Sequence, residues 1–207
     1  MLNNYTPQNY ETLELDHVGV KSPQFSYQRL KGANPVARVE MASTGEVACL
    51  KNKYLDAFFS SWLATDQEIK GKKIVVSIGG QHKVKLLESL KALEEKGWEF
   101  IATEGTHDYL SKKGIASLFI HKASEKCEPN IATLIEKREI DLILNIPRSG
   151  TDTKTDGFRI RRLAIDHNIP LITNLKVAEM FLKCLIEIQP ENLPIKSWEE
   201  YISLKDL

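Results

Sequence analysis

The chain has 207 residues with 28 basic and 28 acidic side chains, so its formal net charge is zero and no long-range field draws it to nucleic acid or an acidic membrane. Its 42% apolar residues suffice for a packed core, and the length suits one ordinary domain with a smaller attached unit. No apolar run approaches the roughly 20 residues that span a bilayer, and the polar start, residues 1–8, lacks the charged and apolar regions of a secretory signal, so a cytoplasmic protein is expected.

The first third follows no simple alternation. Residues 16–21 predict a short strand, 25–34 a loop with a basic centre at Arg29 and Lys31, and 36–41 a second strand. Ser43-Thr44-Gly45-Glu46 turns the chain into a strand over 47–50. Residues 54–64 predict an amphipathic helix presenting Leu55, Phe58, Phe59 and Trp62. This is an incomplete α+β segment, closed by a charged linker over 65–72. From Lys72 onward strands alternate with helices. Strands are predicted at 74–77, 99–102, 117–121, 142–145 and 171–173. The helix over 84–96 carries leucines at 86, 87, 90 and 93, and Gly97 stands at its C-cap; the helix over 107–113 ends at Gly114 in the same way. Asn130 reads as the N-cap of a helix over 131–137, and a helix over 156–167 stops before Asn168 and Pro170. The last, over 176–187, puts Val177, Met180, Phe181, Cys184 and Leu185 on one face. The tail contains Pro190 and Pro194, then Trp198, Tyr201 and Ile202 in a short helix expected to pack back on the domain.

Such alternation specifies a Rossmann-like α/β fold, a parallel sheet covered by helices on both faces. Ligands of such sheets bind beyond the carboxyl ends of the strands. Those ends are polar here: Ser77-Ile78-Gly79-Gly80, Thr103-Glu104-Gly105-Thr106, Asn145, and Thr173-Asn174. A helix starting at Thr103 to Thr106 offers free N–H groups and two hydroxyls to an anion. Cys49, Cys127 and Cys184 are odd in number and far apart, so they read as reduced packing thiols, with no disulfide framework or zinc site. His82, His107 and His121 have no spacing suited to a metal on one helix face.

The stretch Asp16-His17-Val18-Gly19-Val20-Lys21, with Phe25-Ser26, Arg29-Leu30, Pro35 and Glu40 to Val47, resembles the end of the second ATP-grasp unit of the carbamoyl phosphate synthase large subunit. The stretches Ser77-Ile78-Gly79, Thr103 to Thr106, Pro129-Asn130-Ile131, Asp141 to Asn145, Ile160 to Ala164 and Ile169 to Asn174 resemble the methylglyoxal-synthase-like domain that ends that subunit. The resemblance implies a residual ATP-grasp segment over 1–68, an effector-binding domain over 71–188, and a tail over 189–207. It implies a role in carbamoyl phosphate synthesis for the pyrimidine and arginine pathways, in which the final domain binds allosteric effectors. The glycine-rich lid and magnesium ligands of ATP-grasp chemistry have no counterpart here. ATP and magnesium are thus expected in the full synthase and no cofactor in this piece, which is either a split subunit or a truncation, inactive alone. Expected partners are the remainder of the large subunit, the glutaminase subunit, a small phosphorylated effector and a second copy through exposed apolar surface.

Carried over residue by residue, the resemblance implies an effector site at Ser77, Lys83, Thr103, Thr106, Lys122 and Asn145. The lysines would supply cations, the threonines hydroxyls at a helix start, and Asn145 a contact to ribose or base. Arg148, Ser149, Thr173 and Asn174 join the candidates. Pro147 stands where nucleotide-regulated bacterial members often carry a small hydroxyl residue, so phosphoribosyl pyrophosphate or a nucleoside triphosphate also fits. Arg161 and Arg162 point about 100° apart on one helix, so at most one faces the ligand and the other is surface or interdomain. The competing enzyme, a methylglyoxal synthase-type phosphate lyase, needs a carboxylate base just after the fourth strand, where this chain has Arg148; Asp152 and Asp156 lie nearby, and helix capping accounts for Asp156. A dinucleotide oxidoreductase is excluded by the absence of Gly-x-Gly-x-x-Gly. A purely structural or oligomerisation module is the remaining alternative.

Overall fold

The computed structural model describes residues 16–27, 32–36, 43–147 and 155–202. Strands β1 (Val18–Gln24) and β2 (Gly45–Lys51) pair antiparallel, from Val18 opposite Lys51 to Gln24 opposite Gly45. Helix α1 (Tyr54–Leu63) packs on this ribbon, with Ser22 Oγ 2.7 Å from Ser61 Oγ. Beyond Val36, the strand expected over 36–41 lies outside the described residues, as do Arg29 and Lys31.

The main unit runs β3 (Lys73–Ile78), α2 (His82–Glu95), β4 (Glu99–Thr103), α3 (Glu104–Lys112), β5 (Leu118–Ile120), α4 (Ile131–Glu136), β6 (Leu142–Ile146), α5 (Asp156–Asp166), β7 (Leu171–Ile172) and α6 (Leu175–Glu187). The five strands form one all-parallel sheet in the order β5-β4-β3-β6-β7. After β5 the chain recrosses to the other side of β3, so the strand order reverses between β3 and β6, the point at which sheets of this kind bind ligands beyond their carboxyl ends. This is the expected doubly covered α/β architecture.

Side chains alternate across the sheet with period two. Ile74, Val76, Ile78, Phe100, Ala102, Leu142 and Leu144 point into one core layer with Phe59 of α1, Leu86 and Leu90 of α2, Leu110 of α3 and Phe181 of α6. Val75, Ile101 and Ile143 point into the other, with Ile131 and Ile135 of α4 and Ile160 and Ala164 of α5. Trp62 and Phe181 pack with ring centroids 4.5 Å apart, seating α1 on α6.

Local chemistry explains the ends. Gly97 and Gly114 take φ of 80° and 76°, the left-handed turn that closes α2 and α3 at little cost. Asn130 caps α4 by accepting from Ala132 N at 2.8 Å, and Asn174 caps α6 by accepting from Lys176 N and Val177 N. Helix α3 begins at Glu104, earlier than predicted. Thr103, still extended, is both the last residue of β4 and the N-cap, so no loop intervenes. The tail forms a 3₁₀ turn (Pro190–Asn192) and α7 (Trp198–Ile202). Leu193 packs against the core layer that holds Phe181, and the segment beyond it meets the ribbon and the turn after it: Tyr201 Oη donates to Leu50 O at 2.6 Å, and Lys51 and Lys196 bond Pro194 O and Asn52 Oδ1. Among the described residues no helix is long and apolar enough to cross a membrane.

Candidate functional site

Two residues beyond Val75, Ile101 and Ile143 on the same face stand Ser77, Thr103 and Asn145. Ser77 is in register with Asn145, and Val76 with Ala102, so Thr103 follows opposite Ser77. Thr103 Oγ1 donates to Ser77 Oγ at 3.4 Å. The sheet thus sets three polar side chains in a row across β4, β3 and β6, at the point where strand order reverses.

Thr106 behaves differently from a ligand-facing hydroxyl. It is only 2% exposed, accepts from Ile78 N at 3.2 Å and returns a contact to Ile78 O at 3.5 Å. Pairing of β3 with β4 stops at Val76, because β4 turns into α3, and the Thr106 hydroxyl takes the place of the missing strand. It holds the end of β3 in position. Lys83, in the first turn of α2, donates to Gly105 O at 2.6 Å and lies 5.9 Å from the Tyr109 ring centroid, so its ammonium sits beside the first turn of α3. The positive end of α3 and a cation therefore adjoin the strand-end row.

Asn145 is buried and met from α5 by Arg161, whose Nη1 donates to Asn145 Oδ1 at 2.7 Å. Arg161 is itself 2% exposed, and its Nε donates to Asn34 Oδ1 at 3.1 Å. Burial lowers the pKa of this guanidinium from its ordinary value, though an arginine stays protonated. Arg162, one position on, faces away: it bonds Tyr27 O, Ala33 O and the Asp166 carboxylate. Of the two, Arg161 is at the strand ends and Arg162 ties α5 to the N-terminal segment.

Lys122 follows β5 and lies 4.0 Å from Glu125, whose other oxygen accepts from His121 Nδ1 at 2.9 Å. The hydrogen bond from His121, then that from Lys122 N, holds the Glu125 carboxyl below its usual range. This loop reaches α5, where Asp156 Oδ1 accepts from Ser124 N; Thr155, not Asp156, caps the helix, accepting from Phe158 N. Thr173 and Asn174 line a different feature, a cleft of about 790 Å³ walled by β1, Tyr27, α1 and the end of α5, which none of Ser77, Thr103 and Asn145 lines. Asn174 spends its carbonyl on capping α6. Arg148, Ser149 and Asp152 lie outside the described residues. Among those described, no group of three His, Cys, Asp or Glu could hold a metal.

Asn34 and Gly157 escaped sequence reasoning. A Cβ on Gly157 would lie 3.0 Å from Arg161 Nη1 and 3.5 Å from Asn145 Oδ1, so the glycine makes room for this contact. One signal was available: Gly157, Ile160, Arg161 and Ala164 form the stripe that faces the core, with a charge inside it.

Residues 85–173 match the family described as the MGS-like domain, and with the parallel sheet above they constitute one. Over 191 residues, 87% of this chain, it is 39% identical to "Multifunctional protein URA2" of Saccharomyces cerevisiae, covering 9% of that protein. It is 34% identical over 181 residues, 86% of the chain, to human "Carbamoyl-phosphate synthase [ammonia], mitochondrial", covering 12% of it. It is likewise 34% identical over 196 residues to "Multifunctional protein CAD" of Squalus acanthias, 87% of this chain and 9% of that one. The chain belongs with the MGS-like region of the carbamoyl phosphate synthases, as its motifs imply. It spans about a tenth of the length of these relatives.

Proposed function

We propose that this chain is the allosteric effector-binding region of a carbamoyl phosphate synthase, taking a phosphate-bearing metabolite such as a nucleotide and performing no catalysis alone. The observation that carries the reading is the row Ser77, Thr103 and Asn145 at the sheet's point of reversal, beside the N-terminus of α3 and the Lys83 ammonium. In this reading Lys83, Thr103 and the first-turn N–H groups of α3 receive phosphate. Lys122 adds a cation, and Asn145 meets ribose or base. Residues 1–68 are the residual segment of an ATP-grasp unit, 71–188 the effector domain and 189–207 a tail. Arg162 is then the tie between effector domain and synthase body. The rest of the large subunit, the glutaminase subunit and a cytoplasmic setting complete the proposal, as does service to pyrimidine and arginine synthesis.

A thermal-shift screen of nucleotides, phosphoribosyl pyrophosphate, ornithine and acetylglutamate tests it. A phosphate-bearing compound should raise the melting temperature, an effect abolished by Lys83→Ala, with no turnover. Release of phosphate from dihydroxyacetone phosphate would overturn the assignment in favour of a lyase. The absence of any shift would favour a structural module.

A further inference from the structure

We propose that Arg161 is the positioning residue of this site: its guanidinium fixes the orientation of the Asn145 amide and binds the strand-end row to Asn34 in the N-terminal segment. The part concerning Asn145 rests on the functional reading above; the link to Asn34 stands without it.

The geometry leaves one amide orientation. A guanidinium only donates, so the Asn145 atom 2.7 Å from Nη1 is the carbonyl oxygen, and the amide NH₂ is what Asn145 offers to an occupant of the strand ends. The complementary ligand group is an acceptor, such as a ribose oxygen, a base carbonyl or a phosphate oxygen. Arg161 is a costly way to hold a helix against a sheet. It is almost wholly buried, and among the described residues it forms no ion pair, so its charge is held by two neutral amide carbonyls. A leucine in the stripe with Ile160 and Ala164 would pack at lower cost. Gly157 is open at the one point where a side chain would press on Nη1. Asn34 also gives something up: with its oxygen held by Arg161, its Nδ2 is buried with no partner among the described residues. The two amides come from distant parts of the chain, the N-terminal segment and β6, and one rigid fork joins them. A shift of Asn145 on ligand binding therefore moves the group that orients Asn34.

The test is a double-mutant cycle on the full chain by urea unfolding, with Asn34→Ala and Asn145→Ala made in wild-type and Arg161→Lys backgrounds. Each single change should lower the folded-to-unfolded ratio by roughly tenfold, through loss of a buried charge-assisted hydrogen bond. The double variant should depart from the product of the singles by roughly threefold or more, and that departure should vanish in the Arg161→Lys background, since a single ammonium lacks the fork. Additive losses in the wild-type background, or coupling that persists with Arg161→Lys, would overturn the link. If Arg161→Lys does not fold, Asn145→Asp decides. A carboxylate still accepts from the guanidinium, so the urea midpoint should hold or rise, while affinity for a nucleoside monophosphate, read by calorimetry with AMP and UMP, should fall at least tenfold because the outward donor is gone. A falling midpoint, or undiminished binding, would refute the orientation. Failure of the wild type to bind any effector would sink the functional reading and leave the cycle to judge the link.

Discussion

Replacing Thr106 with valine removes one oxygen and keeps the shape, so it isolates what the hydroxyl does. The side chain is 2% exposed, and its Oγ1 is the partner of Ile78 N where β4 no longer runs alongside β3. Valine leaves that N–H buried against a methyl group. Stranding a buried donor costs about 1–3 kcal/mol. For a chain of this size each kcal/mol lowers Tm by about 2–4 °C, so a fall of roughly 2–12 °C is expected. Thr106→Ser keeps the hydroxyl and loses a buried methyl worth about 0.8 kcal/mol, so serine should melt between threonine and valine. Differential scanning calorimetry of the three proteins reads both values. Hydrogen exchange should show the loosening at Ile78 and Gly79 before it reaches β4. A valine variant that melts with the wild type, or a serine variant that melts below valine, would refute the strand-replacement role. Any loss of effector binding in Thr106→Val is then the consequence of a displaced β3 terminus, since the hydroxyl is turned into the protein.

Gly157→Ala should lower Tm even though alanine is the better helix former by about 1 kcal/mol, because the new Cβ meets Arg161 Nη1 at 3.0 Å; a higher Tm would show that the guanidinium yields freely. Burial pushes the Cys184 thiol up to about 12, while Cys127 is exposed, so a thiol reagent at pH 8 should label Cys127 in the folded protein and Cys184 only in urea. Because the native state retains the Cys184 proton and the unfolded thiol gives its proton up near pH 9, this group's contribution to stability is intact below that pH and declines toward pH 12, which urea midpoints at pH 8 and 10 would register. Glu125 and Glu128 are held below the ordinary glutamate value of 4.5, chiefly by the His121 and Thr133 side chains. Their contribution is therefore present above pH 4.5 and lost as pH falls through their lower native values. Amides of 121–130 should lose exchange protection in acid before those of β3 and β6; simultaneous loss would contradict this.

Element types were legible because each rests on neighbours in sequence. Apolar spacing at Leu86, Leu90 and Leu93, left-handed glycines after α2 and α3, and the side-chain cap at Asn130 act within a few residues, and the structure shows all of them. Asp156 misled because any acidic residue at a helix start resembles a cap, and only the fold could bring Ser124 N to its carboxylate. The contact of Thr106 with Ile78 was out of reach for a related reason: that its hydroxyl turns inward depends on where β4 stops pairing with β3. Thr173 and Asn174 looked equivalent to the other strand ends. Sheet order puts them on the edge strand, against the N-terminal segment.

By itself the sequence determined a parallel α/β sheet with polar residues at its strand tips, since period-two and period-3.6 patterns are properties of short stretches of chain. Which tips share a face and a row, and that Asn34, Asn145 and Arg161 meet in one buried contact, was decided only by tertiary structure. Strand order and helix docking join residues 16 to 127 positions apart, and local pattern carries no record of those distances.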